Sequence, residues 1–120
     1  MNVRPAKVWN YFEIAAEIAF SKDFDRHFFL GAVGVRNDGA IVSSLNGMCE
    51  EPNRLVHAEY KLSRKLDVGS VVFVARVAKK DKTFAMAKPC FSCEKVMRSK
   101  GVKKVYYTIG ADQYEILRLK

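Results

Sequence analysis

The sequence is short of cysteine and of long apolar runs, and each shortage excludes a class of protein. Three cysteines in 120 residues are too few for a disulfide framework, and an odd number cannot all be paired within one chain. Nowhere do about eighteen apolar residues follow one another, so we expect no transmembrane helix. Glu13 and Glu17 interrupt the apolar residues near the start of the chain, so we expect no export signal. These features predict a protein of a reducing, cytoplasmic compartment.

Low-complexity tracts and internal repeats are also lacking. The composition, with 49% hydrophobic and 28% charged residues, is typical of a globular protein. This excludes a disordered chain and a solenoid. The length predicts one domain that spans residues 1–120.

Acidic residues are outnumbered by basic ones. The chain has 13 Asp and Glu against 21 Lys and Arg, a formal net charge of +8. A positive protein attracts polyanions, so a nucleotide or a single-stranded nucleic acid is a suitable partner. A solvated basic surface explains the same charge equally well.

The first half of the sequence predicts a helix, a hairpin and a second helix. Apolar residues recur with helical spacing from Pro5 to about Lys22. Two β-branched segments follow, FFLGAVGVR and AIVSSL, and the Asn-Asp-Gly between them favours a tight hairpin. The next apolar stripe predicts a helix from a cap at Asn53 to a stop at Gly69.

The second half predicts strands around a third helix. SVVFVARVA has the continuous apolar character of a strand covered on both faces, and a basic turn separates it from the extended segment TFAMA. A helix is predicted from Pro89 to Gly101, followed by the strand VKKVYYTI. Only GAD precedes the last strand, QYEILRL, which is too short for a parallel crossover. The order predicts an α/β fold, a three-layer α/β/α sandwich with a mixed sheet of about five strands and an antiparallel last strand.

Two cysteines and one histidine form the strongest chemical pattern in the chain. Cys90 and Cys93 are three residues apart at a predicted helix N-terminus, where the helix dipole favours thiolate ligands. With His57 as a third ligand, a tetrahedral zinc would keep one position open for water, as catalytic sites do. Glu59 could accept the proton of that water. His57 and Glu59 lie about 200° apart around a helix, so they converge only at a site beyond the helix end.

These residues resemble the zinc-dependent cytidine and deoxycytidylate deaminase superfamily. The resemblance rests on HAE at 57–59 and PCFSC at 89–93, which is the H-x-E and P-C-x-x-C signature of these enzymes. LGAVGVRNDGAIVSSLNGM is similar to the hairpin of the family with its Asn-Gly loop, and GVKKVYY is similar to the strand after the cysteine helix. The resemblance covers approximately residues 26–108.

The resemblance implies a cytidine deaminase-like fold and a set of roles. Zinc would be held by His57, Cys90 and Cys93, and Glu59 would carry protons while hydroxide attacks C4 of cytosine and ammonia leaves.

The substrate-binding roles implied by the resemblance belong to three further residues. The Ala58 amide would hold the base carbonyl, Asn46 the sugar, and Tyr107 would border the base. The family also implies a homo-oligomer. A histidine ligand resembles the deoxycytidylate, transfer-RNA adenosine and polynucleotide branches, whereas an antiparallel last strand resembles cytidine deaminases and bacterial toxin deaminases.

Several functions therefore stay open. The first is deamination of a cytosine nucleotide or nucleoside, with deoxycytidylate slightly favoured by the histidine and the positive charge. The second is deamination of cytosine in single-stranded DNA or RNA, and transfer-RNA adenosine is a further substrate. The third is a non-catalytic, zinc-stabilised nucleic-acid-binding module. Cys90 and Cys93 alone could also be a redox pair, although no tryptophan directly precedes them. A structural zinc would need a fourth ligand, for which only Cys49 and His27 are left.

Overall fold

The structure is a computed structural model that describes residues 5–19, 28–45, 65–78, 83–87 and 91–119. Within these ranges the elements, in chain order, are α1 (Pro5–Ala19), β1 (Phe28–Val35), β2 (Ile41–Leu45), β3 (Val71–Ala78), β4 (Phe84–Ala85), α2 (Phe91–Ser99), β5 (Lys104–Gly110) and β6 (Gln113–Arg118). The predicted order of elements is confirmed wherever the structure describes the chain. No helix among these ranges is long and apolar enough to cross a membrane.

The strands form one mixed sheet in the order β2-β1-β3-β5-β6. β1 runs antiparallel to both β2 and β3, while β3 and β5 are parallel. The short β4 pairs antiparallel with the last part of β3, beyond the residues of β3 that pair with β5. β6 returns antiparallel to β5 after a turn at Ala111 and Asp112. The prediction of an antiparallel last strand is confirmed.

Helix α1 covers one face of this sheet. Val8, Phe12 and Ala15 are fully buried, and they belong to one core cluster with Phe73 of β3 and Tyr106 of β5. The Phe12 ring meets Phe73 edge-on at 6.1 Å between centroids, and Phe73 stacks on Tyr106 at 4.8 Å. Aromatic contacts of this geometry add to the free energy of burial. The first predicted helix therefore packs on a core as expected, although residues 20–22 lie outside the described ranges.

Helix α2 covers the opposite face. Met97 is fully buried in a second core cluster with Val72, Val74, Val105 and Tyr107. Successive strand residues point to opposite faces, so Tyr106 and Tyr107 belong to different clusters. With α1 on one face and α2 on the other, the predicted three-layer α/β/α sandwich is confirmed.

The predicted helix from Asn53 does not extend to Gly69, so the prediction of its C-terminal end is wrong. Lys65 to Ser70 form a turn, not a helix. The Asp67 carboxylate accepts hydrogen bonds from the Ser70 hydroxyl at 2.6 Å and from the Asn37 backbone amide at 2.9 Å. These bonds hold a compact turn against the β1–β2 hairpin, and side chain to backbone bonds of this kind compete with a helix. Asn53 and the rest of this predicted helix lie outside the described residues.

Gly101 ends α2 in a Schellman motif. The amide of Val102 donates to the carbonyl of Met97, and the amide of Gly101 donates to that of Arg98. Gly101 has a φ of +84°, and an added Cβ would lie 3.0 Å from Val68 side-chain atoms and 3.1 Å from its Cα. Gly39, in the hairpin loop, has a φ of +90° with nothing within 4 Å of an added Cβ.

Substitution of Gly39 and Gly101 distinguishes the cost of backbone strain from the cost of a steric clash. We expect Gly39→Ala to lower the free energy of unfolding by about 1–2 kcal/mol, the cost of a left-handed conformation for an L-residue. Gly101→Ala should lower it by more, because its methyl group also meets the Val68 backbone. Urea unfolding of both variants measures the difference. Equal losses would show that the contact with Val68 contributes nothing.

The Asp67 turn predicts an acid-sensitive component of stability. The Ser70 hydroxyl and then the Asn37 amide, together with the charge of Arg36, lower the pKa of Asp67 from its ordinary value of 3.8. A carboxylate with a lowered pKa in the folded state stabilises the fold above its unfolded pKa and loses that effect as the pH falls through the folded value. We expect the urea midpoint of the wild type to fall more steeply below pH 3.8 than that of Asp67→Asn.

The control for Asp67 is Asp112→Asn, which removes an exposed carboxylate from the β5–β6 turn. This variant should keep the steep acid profile of the wild type. A wild-type profile in Asp67→Asn as well would exclude Asp67 as its source.

Candidate functional site

The helix that carries the second cysteine is well defined. Cys93 lies in the first turn of α2, and Met97, one turn later, is buried against the sheet. The first turn of a helix presents unpaired backbone N–H groups and the positive end of the helix dipole. Cys90 immediately precedes this helix but lies outside the described residues. The predicted helix from Pro89 to Gly101 is confirmed over Phe91–Ser99.

Thr108 fixes the chain segment that leads into α2. Its hydroxyl, fully buried, donates to the carbonyl of Ala85 at 2.7 Å and accepts a weaker bond from the Arg76 amide at 3.4 Å. Its own carbonyl accepts from the amide of Ala87 at 2.8 Å. β4 and Ala87 are thereby bound to both β3 and β5. Thr108 was not predicted from the sequence, although it is the one small polar residue in the segment VYYTI.

Tyr107 lies on the same face of the sheet as the cysteine helix. It is buried with only 6% of its surface exposed, in the cluster that contains Met97 of α2. Tyr106 faces α1 instead and stacks on Phe73. Strand alternation thus separates the two tyrosines as expected. The role of Tyr107 beside a base stays a prediction.

Glu115 of β6 lies directly opposite Tyr107 of β5. Residues paired across an antiparallel ladder share a face of the sheet. Burial, and then the charge of Glu115, raise the pKa of Tyr107 above its ordinary value of 10.0. A tyrosine keeps its phenolic proton at neutral pH with or without this shift, so the Tyr107 hydroxyl can donate or accept a hydrogen bond.

The other site residues predicted from the sequence lie outside the described residues. These are Asn46, His57, Ala58, Glu59 and Cys90. Over the ranges that the structure describes, no three metal-binding side chains come together. The chemistry of the predicted donor set nevertheless suits zinc, because one imidazole and two thiolates are ligands that this metal prefers.

The comparison with protein families identifies the class. The family model described as the cytidine and deoxycytidylate deaminase zinc-binding region matches residues 7–109. The chain belongs to this family. The family binds zinc, and its fold and zinc-binding region support hydrolytic deamination of cytosine as its class of reaction.

Solved structures with the same fold are cytidine deaminases. A glutamate-to-glutamine variant of the cytidine deaminase from Mycobacterium tuberculosis is similar with a TM-score of 0.59 and 20% identity, over 98% of this chain and 93% of that one. The cytidine deaminase from Mycobacterium leprae has a TM-score of 0.58 and 17% identity, over 90% and 92% of the two chains. A further structure of the Mycobacterium tuberculosis enzyme has a TM-score of 0.55 and 19% identity, over 92% and 89%. Comparison with curated protein sequences gives no significant match.

Thr108 offers a test of how the cysteine helix is positioned. We expect Thr108→Val to lower the free energy of unfolding by about 1–3 kcal/mol, because the Ala85 carbonyl would lose its buried donor. We also expect a lower zinc affinity, because β4 and Ala87 would be less firmly fixed before α2. Urea unfolding and competition with a zinc chelator measure the two effects. Thr108→Ser keeps the hydroxyl and should keep the wild-type zinc affinity; equal losses of zinc affinity in both variants would contradict this role.

Proposed function

We propose that this protein is a zinc-dependent hydrolase that converts the cytosine of a free nucleoside or nucleotide to uracil. The observation that carries the proposal is the pair of motifs HAE and PCFSC within the matched family region. The position of Cys93 in the first turn of α2 supports it. Glu59 is proposed as the catalytic residue.

Three side chains would hold the metal. His57, Cys90 and Cys93 supply one nitrogen and two sulfur ligands, which leaves a tetrahedral ion one position for water or substrate. When bound, zinc supplies a Lewis acid that lowers the pKa of bound water to about 7. The three ligands must be deprotonated to bind, so the affinity for zinc should fall in acid.

Glu59 would move the protons of the reaction. Its carboxylate accepts one proton from the attacking water and passes it to ring nitrogen N3 as the new C–O bond forms at C4. It then takes the second proton from the new hydroxyl on C4 and delivers it to the amino group, which leaves as ammonia when the C–N bond breaks and the C4 carbonyl forms. The carboxylate ends the cycle unprotonated, and water plus cytosine have become uracil plus ammonia.

The substrate would be oriented by three other groups. The backbone amide of Ala58 donates to the base carbonyl, and Asn46 binds the sugar. Tyr107 borders the base. Its place on the face covered by the cysteine helix supports this assignment.

The choice between nucleotide and nucleoside rests on opposing features. A histidine at position 57 and the net charge of +8 favour a nucleotide such as deoxycytidylate. The antiparallel β6 and the cytidine deaminase neighbours favour a nucleoside. Cytosine in single-stranded DNA or RNA is the alternative substrate. Assembly into a homo-oligomer and a cytoplasmic, reducing location stay predictions.

Ammonia release from a panel of substrates tests the function. The panel contains cytidine, deoxycytidine, deoxycytidylate, deoxycytidine triphosphate and a short single-stranded cytosine oligonucleotide. We expect zinc-loaded protein to release ammonia from one member of the panel. Glu59→Gln should lower that rate by about 10²–10⁴-fold, because this is the usual contribution of a positioned general acid and base.

The control keeps metal binding separate from catalysis. Glu59→Gln is isosteric and removes no ligand, so it should bind one zinc per chain as the wild type does. Absence of ammonia from every panel member, with zinc bound, would exclude cytosine deamination. It would favour transfer-RNA adenosine or the non-catalytic nucleic-acid-binding module.

A further inference from the structure

Basic residues converge at the end of the molecule where α2 stops. We call this surface the basic end, and it consists of Arg98, Lys100, Lys103, Lys104 and Arg118. Four of them are exposed and Lys104 is half-buried. The sequence shows that Arg98 to Lys104 lie close together along the chain, but Arg118 follows fourteen residues later and joins them only through the fold.

Hydrogen bonds and strand pairing bring the two segments together. The Arg98 guanidinium donates to the carbonyl of Leu119 at 3.0 Å, and the amide of Leu119 donates to the carbonyl of Lys103 at 2.9 Å. Lys104, at the start of β5, lies directly opposite Arg118, at the end of β6. The basic end therefore follows the rim of the sheet from the last turn of α2 to its edge strand.

Few acidic residues offset this charge. Residues 95–111 contain no Asp or Glu. Glu94 forms an ion pair with Arg98 at 3.5 Å, while more than half of the Arg98 side chain stays exposed. The nearby acids Asp38 and Asp67 form ion pairs with Arg36. The other acids in the described ranges lie on α1, in the β5–β6 turn and on β6: Glu13, Glu17, Asp112 and Glu115.

Lys104 and Arg118 pair across β5 and β6, so they share one face of the sheet. They lie on the α1 side of the sheet with Tyr106, whereas Arg98 belongs to α2 on the other side. The cations therefore line both sides of the rim, where an extended anion can contact them in succession.

The basic end is separate from the proposed zinc site. Cys93 lies in the first turn of α2 and Arg98 in its last turn, five residues later, which is about 7.5 Å along the helix axis at ~1.5 Å per residue. A polyanion at the far end of α2 would thus leave the metal-binding end accessible.

We infer that the basic end binds the phosphodiester backbone of a single-stranded nucleic acid. A polynucleotide matches an extended row of cations because it carries a regularly repeated charge, and most contacts of such proteins to nucleic acid go to phosphates. The contacts are to the backbone, so the surface binds with little sequence preference. This inference stands whether the substrate of the zinc site is a nucleoside, a nucleotide or a polymer.

Fluorescence anisotropy with a labelled single-stranded oligonucleotide tests the inference. The test variant is Lys100→Gln with Lys103→Gln, two exposed positions whose side chains hold no described element in place. The control, Lys7→Gln with Lys65→Gln, removes the same charge from exposed positions on α1 and beside β2. Both variants should deaminate a free nucleoside or nucleotide at the wild-type rate.

Salt dependence gives the quantitative prediction. Each lost phosphate contact should reduce the slope of log affinity against log salt by about 0.7 for a single strand, so the test variant should lose about 1.4. If the two proteins bind equally at 1 M salt, this slope difference makes the test variant bind roughly 25-fold more weakly than the wild type at 0.1 M salt. The control should keep the wild-type slope. Wild-type affinity for DNA and RNA oligonucleotides of one sequence shows which polymer is preferred, and either supports the inference.

Three results would overturn the inference. One is no saturable binding by the wild type at low salt. Another is an equal loss in both variants, which would mean that only the net charge matters. The third is poly-glutamate binding as tightly as the oligonucleotide, which would indicate an acidic protein partner. None of these readouts depends on turnover, so they are distinguishable from failure of the proposed deaminase activity.

Discussion

The parallel pairing of β3 with β5 is the constraint on which the rest of the structure depends. Parallel neighbours cannot be joined by a tight turn, so the chain must leave β3, cross one face of the sheet and return. That crossover contains β4 and α2, which places the cysteine helix on the face opposite α1. The same connection determines where the N-terminal end of α2 lies, and thiolate ligands are favoured at that end.

Buried polar contacts make the crossover specific. An apolar core holds α2 against the sheet through Met97 but would tolerate small shifts of the helix. Thr108 supplies directional bonds to Ala85 in β4 and to Ala87 just after it. Gly101 determines where α2 ends by accepting a positive φ beside Val68. One contact precedes the helix and the other follows it, so its position along the sheet is set at both ends.

The two ends of α2 have opposite chemistry. The N-terminal end carries the cysteine motif of a zinc-binding family, and the C-terminal end is surrounded by lysine and arginine. A cation near a helix C-terminus also offsets the negative end of the dipole, which accounts for Arg98 but not for Lys103 or Arg118. The proposed metal site and the proposed anion-binding surface therefore lie at opposite ends of one helix.

The sequence by itself determined the family, the order of elements and the antiparallel return of β6. Motif spacing, apolar periodicity and the length of the GAD turn depend only on residues that are close together in the sequence, so they can be predicted from it. Only the tertiary structure decided that Lys65 to Ser70 form a turn, that Thr108 ties β4 to β5, and that Arg118 joins the lysines after α2. Each of these depends on a partner far away in sequence: Asn37 for Asp67, Ala85 for Thr108, and the Leu119 carbonyl for Arg98. Such pairings arise when strands and helices pack, because the free energy that selects them comes from burial and hydrogen bonds between distant segments.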